Sequence, residues 1–110
     1  MSNFSAGLLG EWQAARHLKR QGMRILEKRY RTAHGEIDLI ARDGDILVFI
    51  EVKARFKGKM DDGIRAVNQK KQEHLRYAAH CYLESHPAQQ VRFDVVEITA
   101  SGLRHLKNAF

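Results

Sequence analysis

Gly35-Glu36-Ile37-Asp38-Leu39-Ile40-Ala41 and Ile46-Leu47-Val48-Phe49-Ile50-Glu51-Val52-Lys53-Ala54-Arg55 are joined by Arg42-Asp43-Gly44-Asp45 and together set the architecture of this chain. Both segments have strand composition, and the Asp-Gly pair between them signals a tight hairpin turn at residues 43 and 44. Side chains alternate along a strand, so Glu36, Asp38 and Ile40 share one face while Ile37, Leu39 and Ala41 share the other. On the next strand Glu51, Lys53 and Arg55 fall together, opposite Ile50, Val52 and Ala54. The run from Ile46 to Ile50 is apolar on both faces, the mark of a strand buried inside a sheet, and it then turns abruptly charged. Pairing across the turn brings Glu36 and Asp38 toward Glu51 and Lys53.

Carboxylates held close together at a sheet face repel one another and lose hydration, so something must neutralise them. A divalent cation does this well, because Mg²⁺ takes one or two carboxylates together with water and phosphate oxygens. Lys53, two residues beyond Glu51 on the same face, could then orient or deprotonate a water, or stabilise charge on a phosphate. The plainer alternative is a salt-bridge ladder, Glu51 with Lys53 or Arg55. Two helices add to the balance. Residues 5–21 read as a helix with an inner stripe of Leu8, Trp12, Ala15 and Leu18, capped by Gly22, and Glu11 projects between Ala15 and Leu18. A second helix runs from a cap at Asp61 or Asp62 to about Ser85, with Ile64, Val67, Leu75, Ala78 and Tyr82 as its apolar face and Lys71 within it. An anion and a cation thus enter from apolar faces, where buried charges need partners. Both side chains could instead snorkel at the stripe's edge.

Outward from this centre, residues 23–31 read as a strand, 58–62 as a loop, 91–99 as a further strand and 103–110 as a short tail with edge-strand character. The 110 residues have no repeat or linker and are read as one domain, 1–110, long enough to bury roughly two thirds of the unfolded chain's surface. The single cysteine, Cys81, cannot form an internal bridge, and the histidines lack paired ligand spacing, which argues against zinc. With no leader and no membrane-length apolar run, a cytoplasmic protein without membrane association is expected. Nineteen Lys plus Arg against thirteen Asp plus Glu give +6, and residues 1–35 alone carry +5. That local excess fits a polyanion site, or else a solvated basic face. Asp94, in a strand, could join the acidic site but more simply pairs with Arg92, another arginine or a backbone amide.

The Asp38…Glu51-Val52-Lys53 pattern resembles the Asp…Glu-x-Lys signature of the restriction-endonuclease-like, or PD-(D/E)XK, nuclease superfamily. With Gly10-Glu11 ahead, Lys71 behind and Arg92-Phe93-Asp94-Val95-Val96 near the end, the chain is similar to the bacterial YraN family within it. The resemblance implies an α/β three-layer fold with an α-β-β-β-α-β core and a mixed central sheet. It implies Asp38 and Glu51 as metal ligands, Lys53 as the catalytic lysine, and Glu11 completing the metal site from the first helix. Ile37 stands where the superfamily's motif has proline, and Arg29 stands before Tyr30 where this family leads one to expect asparagine. The reading that follows is a Mg²⁺- or Mn²⁺-dependent nuclease acting on DNA rather than RNA, branched or otherwise structured, in repair or recombination. Lys71 and Gln72 would contact the scissile strand, and Arg16, Lys19, Arg20, Arg55, Lys57 and Lys59 the flanking phosphates. A homodimer is compatible with so small a nuclease. The rival reading is a non-catalytic nucleic-acid-binding module on the same fold.

Overall fold

The structure is a computed structural model and describes residues 2–55 and 68–110, with side chains from Gly7 onward. Its elements, in chain order, are α1 (Ser2–Arg20), β1 (Arg24–Arg31), β2 (Glu36–Asp43), β3 (Ile46–Ala54), α2 (Gln69–Ser85), β4 (Gln90–Thr99) and β5 (Gly102–Leu106). The five strands make one sheet in the order β1-β2-β3-β4-β5, with β3 and β4 parallel and every other neighbour antiparallel. α1 packs on one face with Leu39, Ala41, Val48, Ile50, Val96 and Ile98. α2 covers the other with Ile40, Phe49 and Val95 against Leu75, Ala78, Ala79 and Tyr82. This is the three-layer α/β arrangement of the restriction-endonuclease-like fold, extended by the edge strand β5.

Local chemistry places these boundaries. α1 ends in a Schellman turn: Gly22 adopts φ 90°, its N–H donates to the Lys19 carbonyl, and Met23 N–H donates to the Leu18 carbonyl. The parallel β3–β4 pair needs a crossover, which α2 supplies. α2 begins where the Asn68 side chain accepts from Lys71 N–H at 2.9 Å. The cap expected at Asp61 or Asp62, together with the loop at 58–62, Ile64 and Val67, lies outside the described residues.

The inner stripe of α1 differs from the expected one. Leu8 is 40% and Trp12 54% exposed, whereas Gly10, Ala14, Ala15 and Leu18 are buried. The reason is the closeness of the packing: a methyl group on Gly10 would meet the Ala54 side chain at 2.5 Å, so small residues seat the helix on β3. A large residue such as Trp12 is left on the flank.

Asp94 is fully buried and belongs to the frame of the fold. Arg92 donates to both its oxygens at 2.9 and 3.0 Å, His105 Nε2 lies 2.8 Å away, and Asn108 N–H donates at 3.0 Å. Arg92 also reaches Asp43 at 3.0 Å, linking the β2–β3 hairpin to β4 and β5. Burial opposes the charge of Asp94 most strongly, yet the His105, Arg92 and backbone hydrogen bonds together hold its pKa below the usual carboxylate range. A carboxylate depressed in the folded state contributes stability above its unfolded pKa, and that stability is lost as pH falls through the folded value. Asp94→Asn should therefore cost about 3 kcal/mol at pH 7. Thermal unfolding followed down to about pH 3 should show the gap between variant and wild type shrinking.

Candidate functional site

The site is made by a parting of two strands. β2 and β3 pair from Asp43↔Ile46 to Leu39↔Ile50, where the ladder between them ends. Just beyond, Val52 N–H donates 2.8 Å to Asp38 Oδ2, so a side-chain carboxylate stands where the ladder would otherwise continue. The two-residue turn is Gly44–Asp45, with Gly44 at φ 61°, one residue later than the expected position at 43 and 44. That shift has a consequence for register: one further step would set Asp38 opposite Glu51, on the same face. Glu36 stays at the exposed start of β2, 3.4 Å from Arg31, and does not join them.

β1 shows a matching irregularity. Between the pairs Lys28↔Leu39 and Tyr30↔Ile37, Arg29 adopts φ 53°, a left-handed conformation uncommon for an arginine within a strand. Ile37 then packs with the α2-side cluster, whereas Leu39 and Ala41 pack toward α1, so the expected common face of these three residues is broken at this step. Asparagine, the residue the family resemblance leads one to expect at Arg29, tolerates this conformation better than arginine does.

Asp38, Glu51, Val52, Lys53 and Arg55 line one cleft of about 410 Å³, with Glu11 on its α1 side. Burial, then the charge of Glu51 and a hydrogen bond shared with it, push the Asp38 pKa up to about 7, against the opposing pull of Val52 N–H and Lys71. Glu51 is only 5% exposed, and its Oε1 lies 3.6 Å from Lys53 Nζ and 3.7 Å from Lys71 Nζ. Lys71, on the apolar stripe of α2, thus meets Glu51 as an entering cation should. Glu97, also fully buried, stands in register between Lys53 of β3 and Arg104 of β5. Its signal in the sequence is a lone acid within Val95-Val96-Glu97-Ile98, fainter than the clustered charges of β3.

Glu11 is held differently from the expectation. Its two carboxylate oxygens accept from Arg29 Nε at 2.9 and 3.1 Å, which keeps the guanidinium firmly charged. No group of three or more His, Cys, Asp or Glu side chains able to hold a metal occurs among the described residues. The Asp38–Glu51 pair on its own nonetheless fits a hard cation: two carboxylates converge, one of them resists ionisation because of burial and then because of the other's charge, and Mg²⁺ needs only one or two carboxylates. Gln72 follows Lys71 in the first turn of α2, half-buried. Arg16, Lys19 and Arg20 lie exposed along α1, away from the carboxylate pair. Lys57 and Lys59 lie outside the described residues.

The profile of Uncharacterised protein family UPF0102 matches residues 10–98. The chain belongs to this family. A UPF0102 protein of Bradyrhizobium sp. is 44% identical over 97% of this chain and 80% of its own length. One of Nitrobacter winogradskyi is 44% identical over 97% and 92%, and one of Herminiimonas arsenicoxydans 40% identical over 94% and 84%. The UPF0102 match therefore takes in both carboxylates, Glu11, Lys53 and Lys71.

The raised pKa of Asp38 has a stability consequence in metal-free buffer. Between the unfolded and folded pKa values the native state binds more protons than the unfolded state, so stability falls as pH rises through that window toward about 7. Removing the charge should reverse this. In EDTA at pH 8, Asp38→Asn should melt about 5 °C above wild type, and the difference should vanish near pH 4. Equal melting temperatures at pH 8 would mean the two carboxylates do not oppose each other.

Proposed function

We propose that this chain is a Mg²⁺- or Mn²⁺-dependent nuclease that hydrolyses phosphodiester bonds in DNA, with branched or otherwise structured DNA as its substrate. The observation that carries the reading is the convergence of Asp38 and Glu51, from neighbouring strands, on one open cleft that also presents Lys53. Asp38 and Glu51 would hold the cation, which when bound supplies charge neutralisation at the phosphate and acidifies water. The chain's own groups do the rest. Lys53, a lining residue of the cleft whose ammonium lies 3.6 Å from Glu51, would steady the negative charge that builds on phosphorus oxygens as water attacks and the ester oxygen departs. Lys71, drawn in by Glu51 from the α2 side, and Arg55 at the cleft wall grip the strand on either side.

A second reading, the non-catalytic nucleic-acid-binding module, draws on the internal pairing of the site. Glu51 already has two lysines and Glu11 has Arg29, so part of the acidic charge is met without a cation. Two measurements separate the readings. Labelled single-stranded, duplex, flap and four-way-junction DNA incubated with Mg²⁺ or Mn²⁺ should be cut by wild type, and Asp38→Ala, Glu51→Ala or Lys53→Ala should each slow cutting by at least about a hundredfold. Equal cutting by Asp38→Ala would assign the activity to a contaminant. In thermal melts, Mn²⁺ at a hundredfold excess over its Kd should stabilise wild type by about 2.7 kcal/mol and leave Glu51→Ala unmoved. Arg29→Asn, which releases Glu11, should tighten Mn²⁺ binding; an unchanged Mn²⁺ midpoint would remove Glu11 from the metal site.

A further inference from the structure

The flank of α1 carries features that neither the fold nor the cleft uses. Trp12, the sole tryptophan, is 54% exposed, with Leu8 and Leu9 beside it at 40% and 47%. The Arg16 guanidinium lies 5.3 Å from the centre of its ring. A recess of about 360 Å³ opens against the indole, lined by Trp12, Ala15, Arg16, Lys19, Arg20 and Lys28. Four of those six residues are cations and none is an acid. Cations in the last turn of a helix complement its dipole, which accounts for Lys19 and Arg20. That does not account for Arg16, for Lys28 reaching in from β1, or for a large aromatic ring left in water.

We infer that this recess binds a single-stranded segment of nucleic acid, one unpaired base stacking on Trp12 and the adjoining phosphates lying on Arg16, Lys19, Arg20 and Lys28. The inference deepens the nuclease reading and rests on it, because it names unpaired strand beside the cut as the substrate feature recognised. Three arguments select this occupant. The charge is complementary to a polyanion and to nothing else so strongly. An exposed indole offers a π-face of the kind on which bases stack whatever their sequence, and a base inside a duplex hides its own face. A second copy of this chain is disfavoured, since a two-fold interface here would set four cations against four. The recess also adjoins the cleft through the chain itself: Glu11 faces the cleft and Trp12 the recess, while Arg29 grips Glu11 and Lys28 lines the recess.

Because Trp12 is the only tryptophan, indole fluorescence reports this surface alone. The experiment is a titration of the intact chain in EDTA with a short oligothymidylate, a blunt duplex of the same length, heparin and polyglutamate, at low and high salt. Saturable quenching by oligothymidylate, weakened by salt and absent with heparin and polyglutamate, is expected. In parallel, anisotropy of a labelled oligothymidylate should show Trp12→Ala binding roughly tenfold more weakly, with Trp12→Phe close to wild type. Arg16→Ala should weaken oligothymidylate binding and reduce its salt slope. Unchanged oligothymidylate affinity in Trp12→Ala overturns the inference, as does equal quenching by polyglutamate, which would point to an acidic protein partner. A wild-type dimer that Trp12→Ala dissociates in sedimentation would overturn it in favour of self-association. Asp38-dependent cleavage together with an unaffected Trp12→Ala sinks this inference alone. Quenching by single strands without cleavage under any condition sinks the nuclease reading and leaves the binding surface standing.

Discussion

The 2.8 Å bond from Val52 N–H to the Asp38 carboxylate is the contact on which the site depends. A strand at the centre of a sheet has to satisfy its backbone donors, and the ordinary way is a neighbouring carbonyl. Here a side chain takes that part, which lets β2 diverge from β3 without orphaning a buried amide. The divergence opens a cleft at the carboxyl end of the hairpin, and the same carboxylate that permits it lines the cleft. Its other neighbour is then Glu51, fixed in β3 between two strands and unable to withdraw. Backbone satisfaction thus forces two acids together, and the frustration of Asp38 follows from the fold itself.

The molecule relieves that frustration only in part. Lys53 and Lys71 both lean on the same oxygen of Glu51, while Asp38 accepts from the Val52 backbone amide. Lysines at 3.6 and 3.7 Å are near enough to lower the field and too far for short, directed hydrogen bonds. Such an arrangement contrasts with Asp94, deeper in the sheet, whose four close donors leave nothing for a ligand to add. The two buried aspartates share a charge and differ in completeness. Incomplete satisfaction at the mouth of a cleft, beside complete satisfaction in the frame, is how a fold keeps stability in one place and reactivity in another.

Much of this was legible in the residues. The tight turn, the order of the elements and the meeting of Asp38, Glu51, Lys53 and Lys71 follow from alternation in strands and from charges set on apolar helix stripes, both strong periodic signals. What escaped was governed by tertiary packing. Hydrophobicity points Trp12 of α1 inward, whereas the closeness of Gly10 to Ala54 leaves room only for small side chains. The Arg29–Glu11 pair could not be read because it depends on a positive φ in β1 that no propensity favours for arginine. Glu97 is visible only once β4 is known to lie parallel to β3, which sets it beside Lys53.

The placing of charge follows from the same geometry. Two like charges about 4 Å apart interact by about 4 kcal/mol near a protein surface, so a pair of carboxylates would repel any phosphate brought to it. A phosphodiester site therefore needs cations arranged to overcome that repulsion without cancelling the carboxylates outright. In this fold the excess of positive charge in residues 1–35 is carried by α1 and β1, to the side of the hairpin that bears Asp38 and Glu51. Were Arg16, Lys19, Arg20 and Lys28 nearer the pair, they would neutralise it as Arg92 neutralises Asp94. Set apart along the helix, they leave the carboxylate pair to its own neighbours; under the nuclease proposal they would hold a polyanion's neighbouring phosphates while the two acids hold a cation, a division of labour that the strand separation at Asp38 makes physically available.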